Sequence, residues 1–517
     1  MKIQNTFSKI IVLLILISFA SPSFTQTVSP TFPVKRQESA ETWLRDGREA
    51  IKRAKAVKPI TKRAKNVILF VGDGMGVTTL TAARILEGQM RGASGEENRL
   101  SFEEFPYTAL SRTYSVNQQT SDSAPTMTAM ITGVKTDEGV LSVNQSVVHG
   151  DYKTVKGNET VTLLELAEQT GKSTGVVSTA RITPATPAAC YAHSPDRDWE
   201  SDNDIFKSSK EASGAKFPDI ARQLVEFSYG DGLEVALGGG RSKFTPNELN
   251  DPEYPERKGE RLDGRNLTEE WTTKYKNSAY VWNRQQFDQV DAKRTKHLLG
   301  LFEPSHMKFA HDRPQDKAGE PSLSEMTTKA IDVLSQNKKG YFLMVEADRI
   351  DHAHHEGNAY RALTDTIEMS NAVRAALSKV NLEETLIIVT ADHSHVFTIA
   401  GYPIRGNNIL GLVREVDGKG MLEEKDKGDR NSKPFTTLGY ANGPGYRGVS
   451  RPDLTQQQVL NPDFKQEATI PLGSETHAGE DVPIFAAGAG AYIVRGSMEQ
   501  NWIFSVMMEA MRLDSGN

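Results

Sequence analysis

Cysteine is almost absent from this sequence, because Cys190 is the single thiol among 517 residues. An intrachain disulfide is therefore excluded. A zinc site would have to draw its ligands from histidine and carboxylate side chains. Cys190 itself stands in the apolar stretch AACY, and a free thiol among small apolar neighbours predicts a buried core position.

The chain also lacks a strong excess of charge of either sign. It carries 61 basic and 67 acidic residues, for a formal net charge of -6. A nucleic-acid partner is not indicated, because binding to a phosphate backbone calls for a basic surface. An anionic substrate remains compatible with this balance, since a bound metal ion can set the local charge of a site.

Long apolar runs are scarce as well. The one at residues 10–17 follows Lys2 and Lys9 and precedes Ser18-Phe19-Ala20. This pattern predicts a secretory signal peptide over residues 1–20, with cleavage up to about residue 26. The mature protein is therefore expected in a periplasmic or extracellular location. No later run is long enough to span a bilayer, and the polar carboxyl-terminal residues argue against a membrane anchor.

What the sequence does contain is an alternation of short apolar runs with helical patterns. Buried strands are predicted at 66–71, 174–179, 233–237, 341–345, 385–390 and 482–487, and helices at 38–57, 78–90, 324–336, 359–380 and 500–513. The alternation indicates an α/β fold with a large, mostly parallel central sheet and helices on both faces. We predict a single domain over 38–513, with polar, turn-rich insertions at about 247–314 and 401–464.

Acidic and histidine side chains follow several predicted strands. Ligands of an open α/β sheet bind beyond the carboxyl ends of its strands, so these side chains are expected to converge. The stretch VEADRIDHAHHE places Asp351 and His355 four residues apart, on one face of a helical turn. Taken singly, each residue is also compatible with a turn, a cap or a solvated loop, but together they predict a site for several metal ions. The candidates are Asp73, Glu346, Asp351, His355, Asp392, His393 and His477.

A nucleophile and an anion-binding residue can also be proposed. Ser123 stands where the polar loop QTSD enters a helical pattern, which is equally typical of an ordinary N-cap serine. At a helix N-terminus the positive end of the dipole would favour its alkoxide and a bound anion. Arg197 could hold a phosphate through two parallel hydrogen bonds, although most arginines in such polar segments are simply solvated.

These residues lie in motifs that resemble those of the alkaline phosphatases. The motifs are GDGMG, TSDSA with TGVKT, ATPA, VEADRIDHAHH, TADHSH and ETHAGED, and the resemblance runs from about residue 40 to 513. Segments such as DPEYP, GLFEP and YRALTDTI are similar to the vertebrate-type branch, with its tissue-nonspecific and placental-like members. The resemblance implies a three-layer α/β/α fold with an inserted metal-binding subdomain and a crown-like insertion, assembled as a homodimer.

The resemblance also implies a role for each candidate residue. Ser123 matches the nucleophile that becomes phosphoserine, and Arg197 matches the phosphate-binding arginine. Two zinc ions and one magnesium ion are implied. The matching ligands are Asp351, His355 and His477 for one zinc, Asp73, Asp392 and His393 with the Ser123 oxygen for the other, and Asp73, Thr186 and Glu346 for the magnesium.

Near the magnesium ligands the chain departs from the family pattern. Pro184 stands where the family usually carries aspartate or histidine to order water around this ion, and its side chain has neither donor nor acceptor. His352 is expected to lie beside the ligands rather than among them.

The vertebrate-type branch carries a further, calcium-type site, and part of it is recognisable here. Glu253, the carbonyl of Phe302, and Glu303 match its ligands, while Glu320 stands where the family has aspartate. Oxygen-only ligation of this kind suits calcium. The disulfide cysteines of that branch are absent.

The sequence therefore predicts an exported phosphomonoesterase that works through a phosphoserine intermediate, with small phosphate monoesters as substrates. Two alternatives keep the same residues. The two-metal core would also suit a phosphodiesterase or a sulfatase, and a catalytically idle metal-binding surface protein would carry the ligands without turnover.

Overall fold

A computed structural model describes residues 38–423 and 425–513 of the chain. The predicted signal peptide and the last four residues lie outside these ranges. Among the described helices, none combines the length and the apolar character that crossing a membrane would need.

The centre of the fold is a ten-stranded sheet. Seven of its nine neighbouring strand pairs are parallel, and the two antiparallel pairs both involve β14 (Val482–Gly488). The strands, in spatial order, are β15 (Gly496–Glu499), β2 (Tyr107–Arg112), β14, β8 (Thr385–Ala391), β1 (Asn66–Gly72), β7 (Tyr341–Ala347), β3 (Ser173–Arg181), β4 (Val235–Gly239), β6 (His297–Leu301) and β5 (Ser278–Val281).

Helices cover both faces of this sheet. Alternate residues of β1 point into two different hydrophobic clusters. Val67 and Leu69 pack in one cluster with residues of the helices at 123–132 and 502–511, and Ile68 and Phe70 pack in the other with residues of the helices at 77–90, 323–334 and 359–379. The helices are α1 (Ala40–Ala56), α2 (Val77–Met90), α3 (Ser123–Thr132), α4 (Leu163–Gln169), α5 (Ala185–Ala188), α6 (Asp202–Ser208), α7 (Lys210–Gly214), α8 (Ile220–Glu226), α9 (Arg241–Phe244), α10 (Leu267–Lys274), α11 (Arg284–Gln289), α12 (Leu323–Leu334), α13 (Arg349–His355), α14 (Ala359–Lys379), α15 (Gln456–Val459) and α16 (Trp502–Met511).

The predicted α/β architecture with a mostly parallel sheet is confirmed. Each predicted strand and helix is present, with ends that differ from the prediction by no more than two residues. Strands buried on both faces carry unbroken apolar runs, which is why β1, β7 and β8 could be recognised. Cys190 is buried in the core, as expected.

The segment 247–314 differs from the sequence prediction, which found no strand in it. β5 and β6 both lie in this segment and extend the main sheet at one edge. They have only four and five residues and are flanked by charged loops, so no long apolar run marks them.

The segment 401–464 contributes to a smaller sheet beside the main one. Its strand β11 (Leu438–Gly443) lies between β10 (Phe397–Ile399) and β12 (Ala468–Pro471). A separate two-stranded ladder pairs β9 (Ser394–His395) with β13 (His477–Ala478). This ladder brings the segment after β8 against the loop before β14.

Helix α1 stands apart from the core. A capping box formed by Ser39 and Thr42 starts the helix, and none of its residues is buried. Trp43, Leu44 and Ile51 are each more than half exposed. The amphipathic pattern of the sequence is therefore present, with its apolar side chains facing solvent in this single chain.

Candidate active site

Three adjacent strands of the main sheet end at the same level and carry the acidic residues. Val71 of β1 is in register with Glu346 of β7 and with Thr390 of β8. Asp73 directly follows β1 and Asp392 directly follows β8, so their carboxylates meet that of Glu346 at the carboxyl ends of these strands. The carboxyl ends of parallel strands thus bring together residues more than 300 positions apart in the sequence.

Asp351, His355 and His477 form the first cluster of ligand atoms. Asp351 Oδ1 lies 3.3 Å from Nε2 of each histidine, and the two Nε2 atoms are 3.1 Å apart. His355 Nδ1 is 2.6 Å from the Glu475 carbonyl, and His477 Nδ1 is 2.9 Å from that of Ser121. Each Nδ1 therefore donates its proton to a carbonyl, which leaves the Nε2 lone pair free to bind a metal.

Asp73, Asp392, His393 and Ser123 form the second cluster. His393 Nε2 lies 3.3 Å from Asp73 Oδ1, Asp392 Oδ2 and Ser123 Oγ alike. The Ser123 hydroxyl also donates to Asp73 Oδ2 over 3.2 Å. All four residues are buried, so solvent does not satisfy these groups.

The spacing in both clusters fits zinc. A tetrahedral ion with bonds of about 2.0–2.1 Å holds its ligand atoms about 3.3–3.4 Å apart. The separations of 3.1 and 3.3 Å lie at or just below that value. Imidazole nitrogen with carboxylate oxygen is also the ligand chemistry that zinc accepts when thiolates are lacking.

A third group of oxygen atoms fits magnesium. Burial and the nearby Asp392 raise the pKa of Asp73, and burial and the nearby Asp348 raise that of Glu346. A bound cation would offset both effects. Three oxygens of the residues that match the magnesium ligands are buried and without a hydrogen-bond partner in the described ranges, namely Asp73 Oδ1, Thr186 Oγ1 and Glu346 Oε1.

Several residues around these clusters were assigned no role by sequence reasoning. His395 lies between Asp351, with its Nε2 2.8 Å from Oδ1, and Glu475, with its Nδ1 2.6 Å from Oε2. Ser178 donates to Glu346 Oε2 at 2.5 Å, and Asp348 lies close enough to Asp73 and Glu346 to share an ion with them. The doubled histidine of DHSH was the one available signal for His395.

Ser123 is the first residue of α3, and Asp122 is the N-cap. Arg197 forms an ion pair with Asp122, so the guanidinium is held by the residue that directly precedes Ser123. A cavity of about 520 Å³ opens at this point, between the loop at Gln118 and the ladder strand of His477. The site therefore combines a buried hydroxyl, a fixed cation and room for a small ester.

His352 and Pro184 differ from the ligands in their contacts. His352 Nδ1 lies 2.7 Å from Asp348 Oδ2, and its ring meets that of His306 edge to face at 4.2 Å. Pro184 is the N-cap of the short helix α5, which carries Thr186, and it makes no side-chain cap hydrogen bond. His352 thus contacts a neighbour of the magnesium-type oxygens rather than those oxygens themselves.

The calcium-type carboxylates also come together, since Glu303 lies near both Glu253 and Glu320, although two of them are paired with cations of the protein. The Lys308 ammonium lies 2.9 Å from Glu303 Oε1, and Arg241 lies 3.3 Å from Glu253 Oε2. Burial and then Glu303 raise the pKa of Glu320 to about 9. Asp316, which the sequence did not single out, presents two buried oxygens without a partner in the described chain. Phe302 is buried at the end of β6, directly before Glu303.

An α/β sheet whose carboxyl edge gathers a buried serine, carboxylates and imidazoles defines a metal-dependent hydrolase. The family profile described as "Alkaline phosphatase" matches residues 64–513. The chain belongs to the alkaline phosphatase family, and it is a metal-binding hydrolase of phosphate monoesters. The family resemblance and the predicted phosphomonoesterase activity are thereby confirmed.

Curated relatives from vertebrates are similar over most of their length. The chain is 44% identical over 485 residues to the tissue-nonspecific alkaline phosphatase of Felis catus, and 43% to that of Homo sapiens, covering 92% of this chain and 89% of each relative. The alkaline phosphatase of Gadus morhua is 42% identical over 487 residues, which cover 93% of this chain and 98% of the relative.

Solved structures of more distant relatives share the fold. The alkaline phosphatase of the Antarctic bacterium TAB5 aligns with a TM-score of 0.58 at 21% identity, covering 88% of this chain and all of the other. That of Thermus thermophilus aligns with a TM-score of 0.62 at 23% identity, covering 89% and 94%. At this level of identity the likeness supports the three-layer architecture alone.

Proposed function

We propose that this protein is an exported alkaline phosphatase whose nucleophile is Ser123. The observation that carries this proposal is the position of the Ser123 hydroxyl, 3.2 Å from Asp73 Oδ2 and 3.3 Å from His393 Nε2. Ser123 is also the first residue of α3, and Arg197 is paired with the adjacent Asp122. A serine with these neighbours is suited to attack on a phosphate dianion.

The metal ligands are proposed from the three groups of atoms. Asp351, His355 and His477 would hold one zinc ion. Asp73, Asp392 and His393 would hold the other, and Asp73, Thr186 and Glu346 the magnesium ion. When bound, these ions supply positive charge that stabilises the serine alkoxide and the leaving oxygen and lowers the pKa of water.

The chain's own residues then account for binding and orientation. Arg197, fixed by Asp122, would hold two non-bridging oxygens of the phosphoryl group. Ser123 Oγ gives up its proton to solvent and forms a bond to phosphorus while the bond from phosphorus to the leaving oxygen breaks, and that oxygen takes up a proton from solvent and departs as the alcohol. Water subsequently hydrolyses the phosphoserine, which regenerates the Ser123 hydroxyl and releases phosphate. The backbone N–H groups at the start of α3 favour the anionic groups throughout.

Assembly, export and the calcium-type site belong to the same proposal. The exposed Trp43, Leu44 and Ile51 of α1 support a homodimer in which this helix covers the partner subunit. Residues 1–20 would direct export to a periplasmic or extracellular location and then be removed. Residues 38–513 would form one catalytic domain with additions at 247–314 and 401–464. Glu253, the Phe302 carbonyl, Glu303 and Glu320 would hold calcium.

The Ser123→Ala substitution tests the proposed nucleophile. The metal-loaded variant is expected to form no acid-stable phosphoprotein and to lose most of its turnover of an aryl phosphate monoester. Near-normal hydrolysis by this variant would overturn the assignment. Parallel assays of an aryl phosphate diester and an aryl sulfate address the phosphodiesterase and sulfatase alternatives, since Arg197 favours the dianionic monoester.

A further inference from the structure

A second cavity with marked charge lies at the opposite end of the main-sheet strands from the active site. It has a volume of about 310 Å³. We call it the basic cavity, and its lining residues are Arg63, Lys65, Thr170, Lys172, Lys338 and Lys339. Five of these six side chains are cationic.

The strand order of the sheet explains why these cations meet. Lys65 directly precedes β1, Lys172 directly precedes β3, and Lys339 comes two residues before β7. These strands are neighbours in the order β1, β7, β3. The amino ends of neighbouring parallel strands lie side by side, just as their carboxyl ends do at the active site.

The cations of the basic cavity have no acidic partners in the part of the chain that the structure describes. Within residues 38–423 and 425–513, none of the five has a carboxylate oxygen within 4.0 Å. The Lys172 ammonium instead donates to the main-chain carbonyls of Lys65 and Lys339, at 2.9 and 2.7 Å. Arg63 Nε donates to the carbonyl of Met511 at 2.7 Å. These carbonyls orient the cations but do not neutralise them.

Burial and the neighbouring cations disfavour the charged form of Lys172. Its side chain is buried, with 3% of the residue exposed. Burial, and then Arg63, Lys65 and Lys339, lower the pKa of Lys172 to about 8. An anion in the cavity would remove both penalties, because it would replace the lost hydration and screen the like charges.

We propose that the basic cavity binds a small phosphate-bearing anion of the size of inorganic phosphate or pyrophosphate. Its volume is at the lower end of the range of about 300–1,000 Å³ that is usual for ligand pockets. No aromatic side chain among the described residues lines it, so this lining offers no surface for stacking a nucleobase. This site is separate from the catalytic residues and does not depend on their assigned roles.

Pyrophosphate binding by the metal-loaded Ser123→Ala variant provides the test, because this background prevents phosphoryl transfer to Ser123. Calorimetric titration is expected to resolve two classes of site per chain, one at the active site and one in the basic cavity. Adding Lys65→Gln and Lys339→Gln should weaken one class at least tenfold and leave the other unchanged. Titration with inorganic phosphate in place of pyrophosphate shows whether one phosphoryl group is enough.

The matched control replaces two exposed lysines elsewhere, Lys276→Gln and Lys293→Gln, and thus removes the same charge. The control should keep both classes of site. The absence of any class of site that Lys65→Gln and Lys339→Gln weaken, or an equal loss in the control, would overturn the proposal. Should Lys65→Gln disturb folding, the pair Lys338→Gln and Lys339→Gln changes two exposed lining residues and carries the same expectation.

Discussion

The imidazole of His395 holds the carboxylate of Asp351, with Nε2 2.8 Å from Oδ1. Nδ1 of the same ring lies 2.6 Å from Glu475 Oε2. A chain of Glu475, His395 and Asp351 therefore orients the carboxylate that the two zinc-type histidines, His355 and His477, share. Residues that orient metal ligands in this way matter nearly as much as the ligands themselves.

Replacing His395 by alanine is expected to lower zinc affinity by about 10–100-fold, because Asp351 loses its orienting hydrogen bond. Zinc retention after dialysis against a series of chelator concentrations measures this directly. His297→Gln is the control: His297 is a buried histidine of β6, and its Nδ1 lies 3.0 Å from the Leu233 carbonyl. Equal zinc retention in the parent and the His395 variant would contradict the proposed role.

Gly74 tests the packing around the same imidazole. Its φ is +67°, and a Cβ at this position would collide with His395 Nε2. We expect Gly74→Ala to displace His395 and to reduce zinc retention as the His395 substitution does. Gly92→Ala is a matched control, since Gly92 has φ of +81° and open space around it. The control substitution should keep zinc retention unchanged. It should lower the free energy of unfolding by about 1 kcal/mol, through backbone strain alone.

The sequence revealed the centre of the fold better than its edges. β1, β7 and β8 are buried on both faces, so their apolar runs were visible. β2 was missed because its residues alternate between buried and exposed, and β15 because it has only four residues, most of them not buried. Short strands at a sheet edge do not need continuous apolar sequence.

The site residues were predictable where a motif and a strand end coincided. Asp73, Glu346 and Asp392 each follow an apolar run, which predicted their convergence. His395 and Glu475 could not be assigned in this way, because their contact joins residues 80 positions apart through the short ladder of β9 and β13. Neither strand of that ladder, at two residues each, leaves a pattern in the sequence.

Arg197→Ala is expected to weaken inhibition by inorganic phosphate by about 10–100-fold, in line with about 1.5–3 kcal/mol for hydrogen bonds to a charged group. Arg197→Lys should restore only part of the affinity, because an ammonium cannot make the two parallel bonds of a guanidinium. Inhibition constants for phosphate against an aryl phosphate substrate measure both effects. Unchanged inhibition in the alanine variant would show that Arg197 does not contact the phosphoryl group.

Glu168 links the stability of the fold to pH. Burial and then Glu234 raise the pKa of Glu168 from an ordinary value of 4.5 to about 10. The folded chain therefore keeps this proton to higher pH than the unfolded chain does. The stability that the protonated Glu168 carboxyl group contributes is fully present below the pKa of Glu168 in the unfolded chain, and it is lost as the pH rises through about 10. Asp231 and Tyr275 also face this carboxyl group.

The glutamine of the Glu168→Gln variant cannot ionise. The free energy of unfolding of this variant, relative to that of the parent, should therefore be about 1–3 kcal/mol higher at alkaline pH than at mildly acidic pH. Urea unfolding at both pH values measures the difference. Glu256→Gln, at an exposed position, serves as the control and should show no such gain. A Glu168 variant whose stability relative to the parent does not change with pH would contradict the linkage.

In the proposed site, the carboxyl ends of the sheet strands hold two zinc ions and one magnesium ion around Ser123. Metal content per chain, measured together with phosphomonoesterase turnover during stepwise reconstitution of the chelator-treated protein, tests it most directly. We predict that full turnover appears only when two zinc ions and one magnesium ion are bound per chain. Full turnover with fewer than two zinc ions, or with no magnesium, would contradict the proposed site.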